Sequence, residues 1–114
     1  MLYDGAIRFM ENGRFAMEGG DLQRQNDQIQ RAQKIIFELM ATLNMEKGGE
    51  ISRNLMSLYT FIIEQLVNAN VEDNPEPIDQ ALKIVRELRE GWVEIERMTR
   101  MGEVPADSEV KLAA

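Results

Sequence analysis

The sequence contains no histidine and no cysteine. Their absence excludes imidazole acid–base catalysis, Ser-His and Cys-His nucleophiles, disulfide bonds and the tetrahedral zinc sites built from these residues. Long apolar runs are also missing, since none approaches the roughly 20 residues that span a bilayer, and no signal-peptide pattern follows Met1. We therefore expect a cytoplasmic protein that is not an enzyme, takes no cofactor or metal and inserts into no membrane.

Basic residues are the next shortage. Against 20 acidic residues the chain has 13 basic ones, which gives a net charge of −7. An acidic surface repels phosphate backbones, and the arginines of the last predicted helix alternate with glutamates, so no nucleic-acid partner is expected. The length of 114 residues predicts one domain, and the hydrophobic fraction of 44% suits a globular protein with one core.

Four segments show helical periodicity, and none alternates with the period of two that is typical of strands. The predicted helices are Met1–Met17, Asp21–Leu43, Glu50–Ala69 and Pro75–Met101. Asp21 and Asn74 are suitable N-caps, and glycine pairs at 19–20 and 48–49 mark two turns. Because links of a few residues leave no length for a crossover, the predicted fold is all-α, an antiparallel up-down four-helix bundle over residues 1–102.

The residues after Gly102 are predicted to form a flexible C-terminal tail, 103–114. Its last four residues, Lys111–Ala114, also match a common cloning-site read-through. A vector-derived end and a natural end are both open, and neither enters the fold prediction.

Three glutamates are the best candidates for chemistry. Glu87, Glu90 and Glu94 lie within two turns of the fourth predicted helix. Paired carboxylates bind two iron ions in some helical bundles, but those sites also use Glu-x-x-His, and this chain has no histidine. We interpret the glutamates as a solvated face with intrahelical pairs such as Arg86–Glu90.

Glycine and methionine stand out within the helices. Gly5, Gly13 and Gly91 each cost about 1 kcal/mol of helix propensity relative to alanine. Each is either a tolerated cost or the site of a close approach, and in the second case Gly91 makes room for Trp92. The chain also has eight methionines. Methionine is either a soft core filler or the lining of a groove that accepts a partner helix, and both interpretations stay open.

Five segments carry a family pattern: Met1–Phe9, Ile35–Met40, Leu43–Ile51, Asn54–Tyr59 and Leu88–Trp92. The most specific is the third, which reads Leu-Asn-Met-Glu-Lys-Gly-Gly-Glu-Ile. With these segments the chain resembles the flagellar secretion chaperone family FliS from about residue 1 to residue 96.

The resemblance implies a helical bundle that binds newly made flagellin, prevents its premature polymerisation and delivers it to the flagellar export gate. It also implies that the C-terminal helical segment of flagellin is held in an apolar groove. In the family the Leu-Tyr-Asp-Gly motif lies inside a long first helix. We therefore expect this chain to lack the family's N-terminal segment, which would leave apolar surface exposed.

For the groove we predict apolar side chains of the first three helices, each of which is equally a candidate for the core. They are Leu2, Ile7, Met10, Ile36, Met40, Leu43, Met45, Leu55 and Tyr59. Phe9 and Phe61 are further aromatic anchors. The alternative function is a generic helical interaction or regulatory module, such as a homodimer.

Overall fold

The computed structural model describes residues 2–102, which form four α-helices. They are α1 (Leu2–Glu18), α2 (Leu22–Thr42), α3 (Gly49–Glu72) and α4 (Pro75–Arg100). Successive helices run antiparallel, and both α1 and α3 pack against α2 and α4, so the order around the bundle is α1, α2, α3, α4. The predicted all-α four-helix bundle is confirmed. The predicted tail, 103–114, lies outside the described residues.

The predicted caps begin α2 and α4. The Asp21 side chain accepts a hydrogen bond from the Arg24 N–H at 3.1 Å, which satisfies a donor that the first turn of α2 leaves unpaired. The Asn74 side chain accepts from the Glu76 N–H at 3.1 Å, and Pro75 follows it as the first residue of α4. Both helix starts therefore lie where the sequence predicts them.

The end of α3 lies three residues beyond the predicted Ala69, at Glu72. Asparagine usually favours a turn because its side chain competes for the backbone. Here the Asn70 side chain bonds to α2 instead, accepting from Gln25 at 3.1 Å and donating to Asn26 at 2.8 Å. The helix therefore continues past Asn70.

One core runs between the four helices, and every helix contributes fully buried apolar side chains to it. Its largest fully buried apolar members are Met10, Ile29, Ile36, Ile62, Leu66, Ile78 and Val85. They follow the spacing of three and four residues that places side chains on one helix face. The predicted apolar stripes therefore supply the core.

Two glycines allow α1 to approach α2 closely. A Cβ atom added to Gly5 would lie 3.1 Å from Ile35 Cδ1, and one added to Gly13 would lie 2.9 Å from Ile29 Cγ1. The close approaches predicted for these glycines are confirmed. At Gly91 no atom beyond its chain neighbours lies within 4 Å of the corresponding Cβ position, so no other helix approaches there, and the room that Gly91 makes for Trp92 stays a prediction.

Gly13→Ala and Gly91→Ala should change the free energy of unfolding in opposite directions. At Gly13, the cost of overpacking, about 1–3 kcal/mol, exceeds the helix-propensity gain of about 1 kcal/mol, so we expect net destabilisation. At Gly91 the new methyl meets open space, so only the gain of about 1 kcal/mol remains. Urea denaturation of the two variants measures the difference, and equal stabilisation by both would contradict the close packing of α1 on α2.

Candidate functional site

Ion pairs close the surface between α1 and α4, which we name the α1/α4 seam. Along it, Arg89 pairs with Asp4, Arg86 Nη2 lies 2.7 Å from Glu11 Oε1, and Arg14 Nε lies 2.5 Å from Asp79 Oδ1. The sequence predicted an intrahelical partner for Arg86, Glu90, and that prediction is wrong, because the guanidinium reaches across to α1. This seam is polar along its length.

The surface between α2 and α3, the α2/α3 seam, has its interhelical side-chain hydrogen bonds at one end. The hydrogen bond between Asn26 and Asn70 shows which faces of the two helices meet. Residues three, four, seven, eleven or fourteen positions from these asparagines lie near the same face. The large apolar side chains on these two facing sides that are not buried in the core are Phe37 and Met40 of α2, and Met56, Ile63 and Val67 of α3.

These apolar side chains remain partly open to solvent. Phe37 is 53% exposed and Val67 is 42% exposed. Met40, Met56 and Ile63 are half-buried. A strip of adaptable apolar surface therefore runs along this flank of α3.

The other flank of α3 meets α4 in the α3/α4 seam, which is also apolar. By helical spacing, Leu58 and Phe61 lie on the flank of α3 opposite Asn70, and Ile84, Leu88 and Ile95 lie on the flank of α4 opposite Arg86. Phe61 is 39% exposed, and the three α4 side chains are half-buried. Among residues 2–102, no ion pair crosses either seam beside α3. The two flanks of α3 thus form the apolar candidate site.

The predicted groove residues fall into three groups by exposure. Met10, Ile36, Leu55 and Tyr59 are buried in the core, Ile7, Met40 and Leu43 are half-buried, and Leu2 and Met45 are exposed. Of the nine, Met40 lies in the α2/α3 seam as defined above. The methionines divide in the same way, since Met10 fills the core while Met40 and Met56 reach the surface.

Sequence reasoning missed several seam residues, above all Phe37, Met56 and Val67. Their signal is a large apolar side chain beside the core stripe of its helix rather than on it. Phe61, predicted as an anchor, does lie in the α3/α4 seam, whereas Phe9 lies on the α1 side of the bundle, in contact with Arg8 and Arg31.

Tyr59 makes a polar contact across the core. Its hydroxyl lies 2.6 Å from the Tyr3 hydroxyl, so the two share a hydrogen bond that joins α3 to α1. Burial raises the pKa of Tyr59, and the hydrogen bond with Tyr3 raises it further. Burial also raises the pKa of Tyr3, while hydrogen bonds with Tyr59 and Trp92 act in the opposite direction. Both phenols are therefore held neutral in the folded protein.

The acidic cluster on α4 shows the expected solvated arrangement. Glu87, Glu90 and Glu94 are exposed, and Glu94 pairs with Arg97. In the part of the chain that the structure describes, no three histidine, cysteine, aspartate or glutamate side chains converge as a metal site would require. No helix in residues 2–102 has both the length and the hydropathy to cross a membrane.

The fold and the two seams define a class of protein: an up-down helical bundle with apolar side chains along the two seams beside one helix. A family model described as "Flagellar protein FliS" matches residues 1–99. The chain therefore belongs to the FliS family, and the resemblance carried by its motifs is confirmed.

Several relatives are named "Flagellar secretion chaperone FliS". The one from Vibrio cholerae is 36% identical over 95 residues, which cover 83% of this chain and 70% of the relative. The one from Campylobacter jejuni is 36% identical, with coverage of 83% and 74%. The one from Bacillus subtilis is 31% identical over 105 residues, with coverage of 90% and 77%. Membership in this family assigns the chain a role as a flagellar export chaperone.

Tyr59→Phe tests the buried phenol pair through the pH dependence of folding. A phenol whose pKa is raised on folding stabilises the folded state below its unfolded pKa of about 10, and this contribution falls as the pH rises above that value. At pH 11 the wild type should have lost about 1.4 kcal/mol relative to the variant, because Tyr59 ionises only after unfolding. Urea denaturation at pH 8 and pH 11 measures this change, and a stability difference that is the same at both pH values would contradict it.

Proposed function

We propose that this protein is a cytoplasmic chaperone that holds the C-terminal helical segment of flagellin along both flanks of α3. Bound there, the segment is withheld from polymerisation until the complex reaches the flagellar export gate. The family supports the chaperone role, and the α2/α3 and α3/α4 seams supply the surface on which the proposal rests.

The contrast between the seams is the observation that carries the proposal. The α1/α4 seam is bridged by three ion pairs, so a partner there would have to displace charged side chains from each other. The seams beside α3 instead present Phe37, Phe61 and their apolar neighbours to solvent. Burying one large apolar side chain stabilises a complex by about 1.5–3 kcal/mol, so several along one helix give useful affinity.

Methionines suit the α2/α3 seam to a helical ligand. Met40 and Met56 lie on its two sides and are half-buried. A thioether side chain has three rotatable bonds and repacks at small cost, so it adapts to side chains of different shapes. The seam therefore tolerates sequence differences along the bound segment.

The nine predicted groove residues remain a prediction within this proposal. Met40 is the member that lies directly in a seam. Leu2, Ile7, Leu43 and Met45 are at least partly exposed, so they are available to a segment that extends past the seams. The four buried members pack in the core and hold α1, α2 and α3 together.

Phe37→Gln and Phe61→Gln test the two seams separately. Glutamine keeps helix propensity but removes the apolar contact. Each substitution should weaken binding of the flagellin C-terminal segment about tenfold, because about 1.4 kcal/mol of apolar burial is lost. Isothermal titration calorimetry with that segment measures the change, and thermal melting shows that each variant is folded.

Phe15→Gln is the matched control. Phe15 is 76% exposed, but it lies on α1 beside the ion pairs of the α1/α4 seam. Its replacement should leave the affinity unchanged. Equal weakening by all three variants, or undiminished binding of flagellin that lacks its C-terminal segment, would contradict the proposal. Size-exclusion chromatography distinguishes a homodimer formed through the same seams, in which case Phe37→Gln and Phe61→Gln would shift the protein to monomer.

A further inference from the structure

A basic and aromatic surface lies where α1 meets α2, on the side of the bundle away from α3. Arg8 and Phe9 of α1 form it with Arg31 and Lys34 of α2, and we name these four residues the Phe9 patch. The guanidinium carbons of Arg8 and Arg31 lie 5.0 and 5.9 Å from the centre of the Phe9 ring. Beside the ring opens a cleft of about 530 Å³, to which Ile35 adds a second apolar wall.

The cations of the Phe9 patch keep donors available for a ligand. Arg31 gives its Nε–H to Asp27 at 3.0 Å, and the N–H groups of its two terminal nitrogens meet no acceptor among residues 2–102. Arg8 and Lys34 make no ion pair within the same residues. The patch therefore has three basic side chains and spare hydrogen-bond capacity on each.

The two carboxylates of the cleft do not cancel this charge. Asp27 is engaged by Arg31 and also accepts from Gln28 Nε2 at 3.0 Å, so it orients the guanidinium rather than repelling a ligand. Glu38 lines the far end of the cleft. Within the cleft Arg31 and Lys34 are matched by the two carboxylates, and Arg8, which lies over the Phe9 ring outside the cleft lining, supplies the one excess positive charge of the Phe9 patch on a chain whose net charge is −7.

Contact with the Phe9 ring also orders the patch in advance. A guanidinium over an aromatic ring gains cation–π attraction and loses side-chain freedom before any ligand arrives. A carboxylate that binds such a guanidinium pays less of the entropy cost of ordering a long side chain. The Phe9 ring and Ile35 form an apolar surface between the charged side chains of the cleft.

We propose that the Phe9 patch binds a short acidic segment of a partner protein. Carboxylates of the segment meet Arg8, Arg31 and Lys34, and one apolar side chain packs against Phe9 and Ile35. The α2 residues of the cleft extend over about 16 Å at 1.5 Å per residue, which accommodates about five extended residues. Arg8, Phe9 and Arg31 lie toward α1, whereas Lys34 lies one helical turn before Phe37 of the α2/α3 seam, so the two proposed sites adjoin at Lys34.

A fluorescein-labelled peptide, Asp-Glu-Leu-Asp-Glu, is a suitable probe for fluorescence polarisation. The wild-type chain should bind it saturably, with an affinity that falls as salt is added. In the double variant R8Q/K34Q the affinity should fall about fivefold, which corresponds to two partly exposed ion pairs. A peptide with serine in place of leucine should also bind more weakly, because it lacks the apolar contact.

The double variant R53Q/K83Q is the matched control. It removes one arginine and one lysine that are also exposed but lie on α3 and α4. It should keep the wild-type affinity for the acidic peptide. The proposal is overturned if the wild type shows no saturable binding, if both double variants lose affinity equally, or if the leucine and serine peptides bind alike. In the single variant R8Q, which keeps Lys34 beside Phe37, the affinity for the flagellin segment should stay unchanged while the affinity for the acidic peptide falls, so failure of either proposal is distinguishable from failure of the other.

Discussion

The close approach of α1 to α2 is the constraint on which the rest of the bundle depends. Bare backbone at Gly5 and Gly13 lets Ile35 and Ile29 of α2 pack directly against α1. On its other side, α1 is joined to α4 by three ion pairs. α1 is thus held by close packing against α2 on one flank and by paired charges on the other.

α3 has a different role in the bundle from α1. Its inner face is held by core residues such as Ile62 and Leu66, and by the hydrogen bond of Tyr59 to Tyr3 across the bundle. Its flanks contribute less to the fold and keep large apolar side chains partly in solvent. In the proposed function a partner helix binds along these flanks without opening the core, so that one small all-α protein has both a stable fold and an apolar surface for its partner.

Much of the fold is predictable from the sequence because its signals are local. Apolar spacing places the helices, and Asp21 and Asn74 begin two of them as capping chemistry requires. The end of α3 is not local, because it depends on Asn70 bonding to another helix rather than to its own backbone. The ion-pair partner of Arg86 is not local either, because that partner, Glu11, lies on α1.

The candidate site is less predictable than the fold, since it depends on exposure. Met10 and Phe37 are both large and apolar in helical segments, yet only their packing makes one a core residue and the other a surface residue. NMR of ¹³C-methyl methionine tests the account most directly, because methionines mark both environments. On addition of the flagellin C-terminal segment, the Met40 and Met56 methyl signals should shift, while those of Met10 and Met17 on α1 should stay in place. Shifts at Met17 with none at Met40 and Met56 would contradict binding along the flanks of α3.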